Sequence, residues 1–340
     1  MAFAPLFVEH RSSLEHDTGG HPEQAARMVA IEQELESRAW LGLERVSSPE
    51  VERDVLEAVH PPEYVAAIER LAASGGGHLD LDTLASQGSF EAALHSAGGA
   101  VALVDALLDS AAPWGFSAHR PPGHHAERAR AMGFCLFNNI AVAALYALER
   151  RGVERVLIFD WDVHHGNGTN DIFHASNRVL FASIHQSPLY PGTGPASDVG
   201  EGEGRGYTVN LPVPPGSDDG AFVSLVEHVV VPIAHQFAPQ LVLISAGYDA
   251  HREDPLADCL LTEEGFAAMA RTMKRTCAGL GIPFGCVLEG GYALGALARS
   301  VAATIEALSA GGEPAPAPVS SLAREAALRL REWWPALAEN

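Results

Sequence analysis

The chain has 340 residues, 47% of them hydrophobic and 19% charged, which excludes a disordered, collagen-like or coiled-coil chain and allows a large core without disulfide or metal staples. Asp and Glu outnumber Lys and Arg by 43 to 22, a formal charge of −21. A field of that sign repels phosphate backbones, so direct nucleic-acid binding is not expected, and cationic ligands are attracted at low salt. No apolar run is read as reaching the ~18 residues of a bilayer span. The opening MAFAPLFVEHRSS lacks the basic and apolar regions of a signal peptide. Cys135, Cys259, Cys277 and Cys286 form no CxxC pair, so a reducing cytoplasm is the expected compartment.

In chain order, a helix is predicted to start at Pro22 and run through EQAARMVAIEQEL. A second follows Ser89 as its cap. Strands are predicted at Val156–Asp162, Val179–His185, Leu241–Asp249 and Phe284–Tyr292, all continuous apolar runs suited to a parallel sheet buried on both faces. A helix after Thr262 stops near Gly279–Gly281. Gly311–Val319 reads as a linker, and Leu322–Trp334 as a helix whose apolar stripe packs back on the body. No period of 20–50 residues repeats. The alternation predicts one doubly wound α/β domain, which binds ligands beyond the carboxyl ends of its strands.

Three clusters fall at or just after such ends. In VLIFDWDVHHGNG, alternation puts Asp160, Asp162 and His164 on one side of an extended chain. With Asp249 from a second strand end, Asp162 and His164 offer two carboxylates and an imidazole, the layout of a catalytic zinc with one open position. In RPPGHHA, His124 and His125 sit on a rigid turn and suit proton transfer near neutral pH, with Asp160 and Asn167 available as orienting partners. In EGGY, paired glycines let the chain turn so that Tyr292 points into the site as a neutral oxyanion donor.

These motifs resemble the histone deacetylase family of the arginase–deacetylase superfamily. RPPGHHAERARAMGFCLFNN, FDWDVHHGNGT, SIHQSPLYPGTG, SAGYDAHREDP and LEGGY stand in family order between about His16 and Ala298, in forms similar to the class II branch. The resemblance implies a catalytic domain over residues 1–310, with 311–340 a linker and C-terminal helix on the same domain. It implies a zinc hydrolase that cleaves acetamides of lysine or other amines, with Asp162, His164 and Asp249 on the metal. His125 would be the general base, Asp160 the partner of His124, and Tyr292 the catalytic tyrosine. Asn167 stands where the class I branch has Asp. Gly133, Phe134 and Tyr190 resemble walls of an acetyl-lysine tunnel, Asp82 a loop residue that grips substrate backbone, and Arg27 the arginine near an acetate exit channel. The resemblance also suggests structural potassium at Asp160, Asp162, His164, Ser183 and Ile184, and again at Phe173, Ser176, Val179 and Tyr207.

The competing expectations separate on single residues. Binuclear ureohydrolases of the superfamily carry DxHxD and DxD, whereas this chain has Asp162-Val-His164-His-Gly166 and Asp249-Ala-His251; His251 is read as a loop residue. A non-catalytic acetyl-peptide binder would lack a ligand or the tyrosine, and none is missing. Acetylpolyamine-selective relatives carry an acidic residue where Leu256 stands, so acetyl-lysine-type substrates are favoured. The oligomeric state is left open.

Overall fold

Neighbouring residues of a strand point to opposite faces, and in this chain both faces are apolar. In Val156–Asp160, Ile158 belongs to one buried cluster and Leu157 and Phe159 to another. Leu243 and Ile244 divide in the same way, as do Val287 and Leu288. Helices must therefore cover both sides. On one face the helices Ser89–Leu108 and Asn139–Arg150 supply residues such as Leu103, Ile140 and Val142. On the other, Glu263–Leu280 and Leu294–Ser309 supply Phe266, Met273, Val301 and Ile305.

A computed structural model describes residues 4–310 and 316–338. It contains strands β1 (Leu6–Glu9), β2 (Glu44–Ser47), β3 (Gly76–His78), β4 (Leu84–Ser86) and β5 (Gly115–Ser117). These are followed by β6 (Val156–Asp160), β7 (Val179–Gln186), β8 (Thr208–Val213), β9 (Leu241–Ala246) and β10 (Phe284–Leu288). Eight form one sheet in the order β2-β1-β5-β10-β9-β6-β7-β8, with every pairing parallel. Strands β3 and β4 form a separate antiparallel pair. The expected α/β architecture is thus present.

The differences from expectation lie at element ends. Strands β6, β9 and β10 stop before the three candidate ligands and Tyr292: β6 at Asp160, β9 at Ala246 and β10 at Leu288. The chain then leaves the sheet, and its loops stay in register through Trp161 N–H donating to Ser245 O (3.2 Å) and Tyr248 N–H donating to Gly290 O (3.0 Å). Strand alternation therefore does not bring Asp162 and His164 together. Asp162 Oδ1 accepts the backbone N–H of His164 (2.9 Å), a tight local turn that folds both side chains inward. The first predicted helix begins at Ala26, not Pro22, because Glu23 is drawn into the interior by arginines. Ser89 is the first residue of its helix and not the cap; its hydroxyl pairs with His16 Nδ1 (2.6 Å) and Ser86 N (2.6 Å). Thr262 does cap its helix, accepting from Glu264 N, and Gly281 ends it at φ 68°. Two helical stretches, Ser89–Leu108 and Asp219–Phe237, are long and apolar enough to cross a membrane by length and composition, which corrects the sequence expectation; more than half of each is buried within the fold.

Residues 311–315 of the expected linker lie outside the described residues. The helix beyond it is shorter than expected, Ser321–Leu330. Its Ala323, Ala326 and Leu330, with Trp334 and Leu337, are buried in the cluster that covers one face of the sheet. Trp334 packs edge-on against Tyr207 and Phe237 and donates its indole N–H to Gly206 O (2.8 Å). Trp334→Ala should lower unfolding stability by about 3–5 kcal/mol, read as a shift in the urea midpoint. A loss below about 1 kcal/mol would mean that this aromatic cluster stands outside the cooperative core.

Candidate active site

The three acid and imidazole ligands predicted from sequence meet at the carboxyl ends of β6 and β9. One ligand atom from each of Asp162, His164 and Asp249 lies within 4.8 Å of the others, and all three residues are buried. His164 Nδ1 is 3.2 Å from Asp162 Oδ1 and 3.1 Å from Asp249 Oδ2. Asp162 Oδ2 accepts Gly290 N–H (2.8 Å) and Asp249 Oδ1 accepts Val163 N–H (2.9 Å), so the backbone fixes the carboxylates. Burial works against a charge on His164, but Asp249 and Asp162 outweigh it and push its pKa up to about 10. Two buried carboxylates around one imidazole leave an excess of negative charge, and a divalent cation would remove it. The donor set, oxygen and nitrogen from three side chains, suits such an ion.

Glycines make this packing possible. A Cβ at Gly290 would meet Asp162 Oδ2 at 2.6 Å and would also strike Asp249 Oδ2. A Cβ at Gly247 would strike the Asp162 carboxylate and would lie 2.5 Å from the Asp162 Cβ.

The tandem histidines are both buried and their ring centroids are 4.0 Å apart. His124 Nδ1 lies 2.9 Å from Asp160 Oδ2, and His125 Nδ1 lies 2.8 Å from Asn167 Oδ1. Asn167 Nδ2 donates to Glu127 Oε1 (3.0 Å), which orients its amide oxygen toward His125. His125 therefore carries its proton on Nδ1 and keeps Nε2 as a base. The two rings titrate in opposite directions. Burial opposes charge on His124, but Asp162 and Asp160 raise its pKa to about 10. Burial, His124 and His164 together hold His125 well below the usual imidazole range.

Several residues had no role in the sequence reading. Glu289 is fully buried; its Oε2 accepts Gly123 N–H (2.7 Å) and His124 N–H (3.1 Å), and its Oε1 accepts the Ser245 hydroxyl (3.0 Å). It ties the histidine loop to the ends of β9 and β10. Asp254 Oδ2 accepts Tyr292 N–H (2.6 Å), and Oδ1 accepts Leu256 N–H (3.0 Å), so one carboxylate sets both residues. Burial and Asp249 push its pKa up to about 6. Thr83 Oγ1 accepts Phe134 N–H (3.1 Å) and holds Phe134 at φ 70°, a strained value for a bulky residue. Gly133 precedes it at φ 55°, where a Cβ would touch the His125 ring at 2.6 Å. The signals for Glu289 and Asp254 were their places inside EGGY and REDP.

A cavity of about 190 Å³ descends to this cluster. His125, His164 and Tyr292 line it together with Gly133, Phe134, Leu189, Tyr190, Leu256 and Asp82, so every expected wall residue is on it. Tyr190 stands edge-on to His125, with centroids 5.3 Å apart, and Phe134 edge-on to Tyr292 at 5.6 Å. Arg27 is elsewhere: it is fully buried, donates to Gly291 O (2.7 Å) and Glu289 O (2.5 Å), and lies 5.1 Å over the Tyr292 ring. His251 is a buried loop residue whose Nε2 is 3.5 Å from Glu263. Of the residues expected around potassium, Ser183 pairs with Asp160 across β6 and β7, and Ile184 follows it. Farther out, Phe173 O accepts Ser176 N–H (2.9 Å), Val179 opens β7, and Tyr207 O accepts Phe181 N–H (2.9 Å).

A parallel α/β sheet that gathers two aspartates, a histidine, a histidine pair and a tyrosine around one cavity defines a hydrolase-type centre of the deacetylase kind. A family model described as histone deacetylase domain matches residues 21–308. A probable deacetylase of Archaeoglobus fulgidus is 40% identical, over 84% of this chain and 81% of its own length. Histone deacetylase 14, chloroplastic, of Arabidopsis thaliana is 40% identical over 91% and 77%, and a histone deacetylase-like amidohydrolase of Pseudomonas aeruginosa 41% over 78% and 70%. The crystal structure of the HDA15 HD domain superposes with a TM-score of 0.92 at 36% identity, covering 100% of this chain and 97% of that one. This chain belongs to the histone deacetylase family.

Gly290→Ala should weaken metal retention by about 10–100-fold while the protein stays folded, because the new methyl group displaces both ligand carboxylates. Competition with a chelator, followed by metal analysis, measures it. Unchanged retention would show that the Asp162–Asp249 spacing is not needed for binding.

Proposed function

We propose that this protein is a zinc-dependent amidohydrolase that removes acetyl groups from N-acetyl-lysine side chains, releasing acetate and the free amine. The observation that carries the reading is the single cavity of about 190 Å³ on which His125, His164 and Tyr292 converge. Asp162, His164 and Asp249 would hold the ion, which when bound polarises the amide carbonyl and acidifies a water molecule. His125 Nε2 takes the proton of the attacking water, a task suited to an imidazole kept neutral by its surroundings. The Tyr292 hydroxyl donates a hydrogen bond to the carbonyl oxygen as that oxygen gains negative charge. His124, favoured as the cation by Asp162 and Asp160, adds positive charge beside the reacting carbon and fixes its neighbour's orientation. The proton taken by His125 passes to the amine nitrogen as the C–N bond breaks. A potassium ion among the main-chain oxygens near Asp160 and Ser183 belongs to the same reading.

Substrate choice rests on the wall. Phe134, Leu189, Tyr190 and Leu256 give an apolar sleeve for the four methylenes of a lysine side chain, and Asp82 marks the mouth. A distal ammonium would meet no carboxylate at Leu256, and its desolvation is unfavourable without a partner. Leu256→Glu should raise kcat/KM for acetylpolyamines relative to an acetyl-lysine peptide several-fold, roughly the 0.5–1 kcal/mol of a partly exposed ion pair, and the shift should shrink with salt. A wild-type preference for acetylpolyamines would overturn the lysine reading. An unchanged ratio in the variant would remove Leu256 from the substrate path.

The histidine pair gives a pH test. A base must be unprotonated to act, and His125 is held below its ordinary value by burial and by its neighbours. The acid limb of kcat/KM should therefore fall below pH ~6.5. Asn167→Asp sets a carboxylate against the His125 Nδ1 proton, raises the pKa and should move that limb to higher pH. A limb that does not move would assign the base elsewhere.

A further inference from the structure

A charged network outside the cavity bears on the tyrosine. Glu23, Arg27, Arg120 and His16 are all essentially inaccessible to water. Glu23 Oε1 accepts from Arg27 Nη1 (3.1 Å) and from Arg120 Nε. Its Oε2 accepts from Arg120 Nη2 (2.6 Å) and faces His16 Nε2 at 3.4 Å. Both oxygens are therefore committed, and Arg120 and His16 hold the carboxyl well below its usual range despite burial. Arg27 turns its remaining donors to the backbone of one short turn, Nε to Gly291 O and Nη2 to Glu289 O. Its guanidinium lies over the ring of Tyr292, the next residue. Gly291 itself is at φ 120°, a conformation that only glycine holds easily.

A buried guanidinium keeps one orientation only if a buried anion faces it. Glu23 is the anion that Arg27 contacts, four residues away on the same segment. We infer that Glu23 is a positioning residue for Tyr292: through Arg27 it fixes the Glu289–Gly291 turn and so the place where the tyrosine hydroxyl meets the substrate oxygen. The inference rests on the proposed role of Tyr292. Arg120, the other partner of the carboxylate, reaches Ser13 O (2.7 Å) and His16 O (3.0 Å) and anchors the segment to the loop that carries the tandem histidines.

The test is a double-mutant cycle on the zinc-loaded protein with an acetyl-lysine peptide. Glu23→Gln keeps the shape but replaces one acceptor oxygen by a donor. It should lower kcat about tenfold or more, with KM and bound zinc changed less than about twofold. In a Tyr292→Phe background the same substitution should change kcat less than about twofold, because there is no hydroxyl left to misplace. Arg27→Lys, which keeps charge against Glu23 but loses the fork to Gly291 O and Glu289 O, should give the same pattern, and it carries the cycle if Glu23→Gln does not fold. Equal losses in both backgrounds, or a loss that follows zinc content, would overturn the inference alone. A Tyr292→Phe enzyme with undiminished kcat would overturn the reading of the site, and this inference with it.

Discussion

Buried negative charge is the constraint on which the rest of this structure depends. Asp160, Asp162, Asp249 and Glu289 are all sealed from water at the ends of adjacent parallel strands. Burial of one unpaired carboxylate is strongly unfavourable, so each must find donors. The fold supplies them in three kinds: backbone N–H groups from loops that leave the sheet, imidazoles at Asp160 and between Asp162 and Asp249, and the Ser245 hydroxyl for Glu289. The motifs of the chain are the solution to that requirement, which is why they are rich in glycine and histidine together.

The same constraint separates two histidines that the sequence presents as twins. His124 and His125 are adjacent and equally buried, yet one faces a carboxylate and the other an amide. Asp162 and Asp160 favour the charged form of His124, whereas burial, His124 and His164 favour the neutral form of His125. An aspartate in place of Asn167 would make the pair more alike.

Much of the site was legible because its chemistry is concentrated. Asp162, His164 and the tandem histidines lie within short motifs, and Asp249 ends an apolar run, so spacing alone put them near one another. The manner of their meeting was not legible. A period-2 argument placed Asp162 and His164 on one extended face, whereas a hydrogen bond from the His164 backbone to the Asp162 side chain folds them together in a loop. Glu23, Glu127 and Asp254 escaped notice for a common reason. Each sits in an irregular segment and has a partner 38 to 97 positions away, as in Asp254 with Tyr292 and Glu23 with Arg120. No local pattern announces such a pairing. Element ends were misjudged for a related reason: apolar character continues past the last sheet residue because the loops are as buried as the strands.

The strand order carries a consequence for how the molecule assembles. β10, the last strand of the sheet in sequence, lies between β5 and β9, and β9 lies beside β6. The two carboxylates of the triad come from loops after β6 and β9, and the glycine that braces both follows β10. Until β10 is inserted, the sheet has two open inner edges and the triad has no floor. Closing contacts so distant in sequence is slow relative to local helix formation. The geometry at the triad is therefore completed by the last strand of the sheet, and not within one short local segment as in a zinc finger. All three candidate ligands precede residue 284, but the Gly290 N–H that fixes Asp162 follows it, so a nascent chain stalled before β10 carries the donor groups without the contact that sets their geometry.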